Sequence, residues 1–157
     1  MTTLSLPSER EMVFTQTFDA PRALVFSIMH GPAHIPNWWG PRYLRTVVET
    51  MDFRPGGKWR FLQYAPDGTV HAFKGEYIEI VVPERVVATF EYEPWAGHIS
   101  RVTNSLEERD GKTTLTSHTL FANQKDRDAM IDSGAKLGYD ESMQRLAEIL
   151  ATMGARR

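Results

Sequence analysis

The chain has 157 residues, 41% hydrophobic and 24% charged, with a formal charge of -2. That is one domain, able to bury roughly 70% of the surface exposed in the unfolded state. With no cysteine, disulfides, thiolate metal ligands and cysteine nucleophiles are excluded, and a reducing cytoplasm suits it. No basic cluster is present to hold phosphates, so nucleic acid is not an expected partner. No apolar run is long enough to span a bilayer, so neither is a membrane. The opening residues, MTTLSLPSER, lack the basic start and apolar run of a secretory leader, and a cytoplasmic location is expected.

The first strand is expected at Glu11 to Phe18, where Val13, Phe14 and Phe18 stand among Thr and Gln. Asp19-Ala20-Pro21 reads as a helix start, a carboxylate cap ahead of a proline, and a short apolar helix follows as far as Gly31-Pro32. A second helical turn is expected over Ala33 to Trp38. From Tyr43 to Phe121 the period is that of strands. The turn signals are Arg54-Pro55-Gly56-Gly57, Ala65-Pro66-Asp67-Gly68, Val82-Pro83-Glu84 and Arg109-Asp110-Gly111. Tight turns between consecutive strands mean an antiparallel meander, about seven strands in all. Gln124 to Met153 returns to a helical period, as one long helix or one with a break. The order is that of an α+β domain.

Alternation shows which strand faces need cover. Trp59 and Phe61 share a face, as do His71, Phe73, Gly75 and Tyr77, and as do Val86, Ala88, Phe90 and Tyr92. The terminal helix is the only long element left to cover them, and its second half carries Tyr139, Met143, Leu146, Leu150 and Met153 at helical spacing. Its first half offers Gly134, Ala135 and Gly138 instead. Each interior glycine costs about 1 kcal/mol against alanine. Close backbone approach, a bend, or room for something else would each explain them. Aromatic strands facing a helix with missing side chains are how a pocket reads in sequence; a close-packed core under a kinked helix reads the same way.

Seven segments then fall in a familiar order: FDAPRALVF (18–26), NWWGP (37–41), MDFRPGGKWRF (51–61), PDG (66–68), FKGEYIEIVVPERVV (73–87), EERDGKTTLT (107–116) and GYDESMQRLAEIL (138–150). As a series they resemble the START-like, polyketide-cyclase-related superfamily (SRPBCC), and within it the heat-shock-protein 90 ATPase activator-like family. The resemblance covers a core of about 10–152 in a single domain spanning 1–157. One departure is Tyr139, where many members carry tryptophan. The resemblance implies a helix-grip fold: a curved antiparallel sheet around a long C-terminal helix, with two short helices after the first strand and a cavity between sheet and helix. It also implies binding of apolar molecules, with cyclisation or hydrolysis in a few members. The co-chaperone activity behind the family name is analogy only.

The residues offer few reactive groups. His30 and His34 have a helical metal-pair spacing, but Gly31-Pro32 breaks the helix between them and no third ligand is near. No metal or other cofactor is expected, and no nucleophile elbow, phosphate loop or dinucleotide fingerprint is present. His71, sharing parity with Phe73 and Tyr77, is the better candidate for a polar group in a cavity than His118. Arg45 and Glu49 read as a solvated pair, and Trp95 as an exposed residue in a hairpin. The leading expectation is a module binding a small apolar or amphipathic molecule. Its walls are Trp59, Phe61, His71, Phe73, Tyr77, Phe90, Tyr92, Met130, Gly134 and Gly138, with Trp38 and Trp39 near the entrance. The alternatives are a cyclase- or hydrolase-type enzyme using a cavity acid or base, with His71 and Tyr77 the first to test, and a chaperone-type protein partner or a homodimer.

Overall fold

The structure, a computed structural model, describes residues 2–155. Its elements are β1 (Thr3–Ser5), β2 (Glu11–Phe18), α1 (Arg22–Met29), α2 (Ile35–Trp38), β3 (Arg45–Met51), β4 (Lys58–Tyr64), β5 (Val70–Val81) and β6 (Arg85–Tyr92). A 3-10 turn at Glu93–Trp95, β7 (Ser100–Arg109), β8 (Lys112–Leu120), α3 (Gln124–Asp132) and α4 (Ala135–Ala155) complete the chain. All pairings are antiparallel, in the sheet order β1-β2-β8-β7-β6-β5-β4-β3. This is the helix-grip arrangement, with eight strands where about seven were expected. The addition is β1, three residues whose Leu4 alone offers no alternation to read.

The strand boundaries follow from turn chemistry. Asp110 and Gly111 both take positive φ between the facing residues Arg109 and Lys112, a two-residue hairpin whose twist matches the strands it joins. The other three turn signals likewise sit between consecutive strands. Helix α1 departs from expectation at its start. Pro21 occupies the cap position with extended backbone, and Asp19 makes no capping bond. Two β-bulges interrupt the sheet, between Val48 and Thr50 and between Tyr77 and Glu79. The first breaks the parity read for β3. Glu49 pairs with Arg60, and Arg45 instead lies 4.6 Å over the Tyr64 ring, so both stay solvated but not as a pair.

The expected terminal helix is two helices. α3 is capped by Asn123, whose side chain accepts from the Asp126 amide at 2.8 Å, and it ends at Ser133. Gly134 then takes φ +92°, left-handed backbone that an L side chain enters only under strain, and α4 starts one residue later. The Gly134 of the sequence reading is therefore the break itself. Met143, Leu146 and Leu150 of α4 join Phe18, Trp59, Phe61, Tyr77, Val86, Leu106 and Leu115 of the sheet in the main core, with Val25, Phe26, Ile28 and Met29 of α1. Side chains of α4 tie it to the loop after α2. The Gly40 amide donates to Ser142 Oγ at 2.9 Å, and Arg145 Nη1 donates to the Gly40 carbonyl at 2.7 Å. Among the described residues no helix is long and apolar enough to cross a membrane.

Candidate functional site

The inner sheet face divides in two. Toward one end, Phe18, Trp59, Phe61, Tyr77, Val86, Leu106 and Leu115 are buried under α1, α2 and the second half of α4. Trp38 is buried with them, 7% exposed. Four of the expected wall or entrance residues, Trp38, Trp59, Phe61 and Tyr77, are thus core fillers. Burial pushes the Tyr77 hydroxyl above its ordinary range, so it is a poor proton donor or acceptor there. Gly75 shows how tightly this part is packed: a Cβ on it would lie 1.9 Å from the Thr89 carbonyl oxygen and 2.5 Å from the Trp59 indole nitrogen.

Toward the other end the rings are only half-buried. Trp39 packs edge-on against Phe61 and Phe73, with centroids 5.2 and 5.1 Å away. Phe73 continues to Phe90 at 5.6 Å and to Tyr92 at 5.1 Å. Trp39 is held from both sides, its carbonyl accepting from Thr46 Oγ1 at 2.8 Å and the next amide bonding Ser142. Met130 of α3 is also half-buried. At Gly138, one turn into α4, an added Cβ would meet nothing within 4 Å. Close backbone approach is therefore not why glycine stands there.

Two polar pairs border these rings. His71 Nδ1 lies 2.6 Å from the Tyr92 hydroxyl on the neighbouring strand, so the sheet brings His71 to Tyr92 rather than to Tyr77. The second pair lies beyond what the sequence suggested. His98 Nδ1 lies 2.9 Å from Asp126 Oδ1, and the His98 ring stacks on Trp95 with centroids 4.4 Å apart. Trp95, His98, Ile99, Ser100, Phe121 and Asp126 join Phe90, Tyr92 and Met130 around a crevice of about 20 Å³. The one local sign was the Asn123 to Asp126 spacing of a helix cap, which says nothing of what the carboxylate would meet.

The remaining histidines are structural. His30 caps α1, with Nδ1 3.0 Å from the Phe26 carbonyl and its ring stacked on Phe53. Burial pushes its pKa down to about 4. His34 is the cap residue of α2, and His118 bonds Glu11 across β8 and β2 at 2.5 Å.

A family model described as activator of Hsp90 ATPase homolog 1-like protein matches residues 19–151. Among solved structures, a Rhodobacter sphaeroides protein is similar with a TM-score of 0.90 at 23% identity, over 97% of this chain and 99% of that one. A Mycobacterium smegmatis protein superposes with a TM-score of 0.86 at 22% identity, over 96% and 97%. CalU16 from Micromonospora echinospora does so with 0.66 at 19%, over 99% and 90%. At these identities the likeness shows a shared fold. No curated protein sequence matches the chain.

Proposed function

Since this chain belongs to the activator of Hsp90 ATPase homolog 1-like family, a family of the SRPBCC type, we propose that it binds a small apolar or amphipathic molecule at the half-buried end of its inner sheet face. One observation carries the reading: the adjoining rings of Trp39, Phe73, Phe90 and Tyr92 are only half-buried while Trp59, Phe61 and Tyr77 of the same face are buried. Rings left in that state gain by cover, at about 25 cal/mol per Å² of apolar surface removed from water. Gly138, where an added Cβ would meet nothing within 4 Å, leaves the first turns of α4 without a side chain at that position. Titration with an anilinonaphthalene dye tests it. Enhanced fluorescence that falls in a Phe73→Ala, Phe90→Ala double variant is expected; wild-type protein that leaves the dye dark rejects the reading.

A protein-contact role is favoured by a different observation. Trp95 and Ile99 are 40% and 49% exposed on one hairpin, and a large exposed aromatic is a common contact residue. Stimulation of an Hsp90-type ATPase by the wild-type chain, lost in Trp95→Ala, would support it. An unchanged ATPase rate would reject it.

A further inference from the structure

The crevice beside the half-buried rings has a specific chemistry. Its apolar lining is Phe90, Trp95, Ile99, Met130 and Phe121; its polar lining is His98, Asp126, Tyr92, whose hydroxyl bonds His71, and Ser100, whose hydroxyl donates to the Phe90 carbonyl. The Asp126 side chain is 8% exposed and the His98 side chain 41%. A carboxylate can only accept, so the hydrogen in the 2.9 Å contact is on His98 Nδ1. The nitrogen His98 has left is Nε2, which makes no hydrogen bond among the described residues. In the neutral ring that atom carries a lone pair.

We propose that this crevice is the polar subsite of the ligand site, and that it selects a neutral hydroxyl on an apolar ring, a phenol or similar alcohol, by accepting its hydrogen at His98 Nε2. The inference rests on the apolar-ligand reading above and names the class of that ligand. Three features combine. The free space of about 20 Å³ matches a group the size of one water, and is far below the roughly 150 Å³ that takes a benzene ring. So the ring lies outside, against Phe73, Phe90 and Tyr92, and only its substituent enters. The Asp126 carboxylate, fixed by the 2.9 Å contact, sets the Nδ1–H tautomer and makes Nε2 the acceptor, as an orienting carboxylate does for imidazoles generally. Its negative charge, in a site with little water, also disfavours a carboxylate or phosphate on the ligand. Asp126 is a positioning residue; His98 is the one that touches the ligand.

The test is competition of naphthalene, naphthol and naphthoate against the bound dye near neutral pH. In the wild type naphthol is expected to bind about tenfold tighter than naphthalene, the worth of one hydrogen bond, with naphthoate weakest. His98→Phe keeps a ring against Trp95 and removes the acceptor. It is expected to bring naphthol down to the naphthalene level and to leave naphthalene unchanged. A second readout uses the wild-type protein alone: the nitrogen-15 resonance of His98 Nε2 should move on adding naphthol and stay on adding naphthalene. Equal binding of naphthol and naphthalene, a preference for naphthoate, a naphthol preference surviving in His98→Phe, or an unmoved Nε2 resonance each overturns the subsite. In those cases binding of naphthalene itself leaves the apolar-ligand reading standing. Failure of the dye and all three probes removes both.

Discussion

The two ends of the inner sheet face carry nearly the same kinds of side chain and end in different states. At the filled end, Trp59, Tyr77, Leu106 and Leu115 meet Met143, Leu146 and Leu150 of α4 and the apolar faces of α1 and α2. At the other end, Trp39, Phe73, Phe90 and Tyr92 pack on one another and stay only half-buried, with Met130 of a separate helix, α3, beside Phe90 and Tyr92. Large side chains are present at both. What differs is what lies opposite them, so the second half of α4 settles where the core is.

The largest expected effect tests the filled end. Leu146, 0% exposed, should cost about 3 kcal/mol when replaced by alanine, from lost transfer energy and the cavity left behind. Phe90→Ala removes a bigger side chain but one only partly buried, and should cost about half as much. Urea denaturation compares them. Equal losses would mean that the two ends are a single core.

Next is acid stability, a property of the filled end through His30. Its pKa is pushed down from 6.5 to about 4 by burial, so between those values the unfolded chain binds the proton and the native one does not. Stability should be full above about pH 6.5 and fall as the pH drops toward 4. The loss should reach up to about 3 kcal/mol at 1.36 kcal/mol per pH unit. His30→Phe, which keeps the stack on Phe53, should flatten that part of the profile. An equally steep profile in the variant would assign it to other groups.

The smallest effects separate the two helix glycines, which look alike in sequence. Gly134→Leu puts a side chain at φ +92° and should destabilise by about 1–2 kcal/mol. Gly138→Leu enters open space at ordinary helical backbone, so its melting temperature should hold or rise, leucine being better than glycine there by about 1 kcal/mol. Dye affinity should nonetheless fall. A large drop in melting for Gly138→Leu would show that the space is needed by the backbone.

Most of the fold was legible because its signals are local. β2 runs Glu11–Phe18 as its alternation indicates, and the Asp110-Gly111 hairpin lies where its two turn residues put it. The shared faces of Trp59 with Phe61 and of Phe73 with Tyr77 survive because the bulge in β5 follows Tyr77 rather than preceding it. The site was legible only in part. Trp59, Phe61 and Tyr77 are on the expected face, but Phe61 pairs directly with Phe73, so what decides between core and site is what covers each residue, and that depends on where the helices lie. The partner of His71 depends on the pairing of β5 with β6. His98 and Asp126 come from a hairpin and a helix cap twenty-eight residues apart, and no periodicity links such segments.

The contrast between buried and half-buried rings on one sheet face has an evolutionary consequence. A protein near its stability threshold can explore new ligands only through positions whose replacement does not unfold it. Here the buried Trp59, Phe61 and Tyr77 hold the sheet to its helices, and the half-buried rings beside them carry less of that duty. Drift at Phe73, Phe90, Tyr92, Trp95 or His98 can therefore reshape what the face accepts while the scaffold stays intact. Ligand preference in such a scaffold is free to diverge faster than the architecture beneath it.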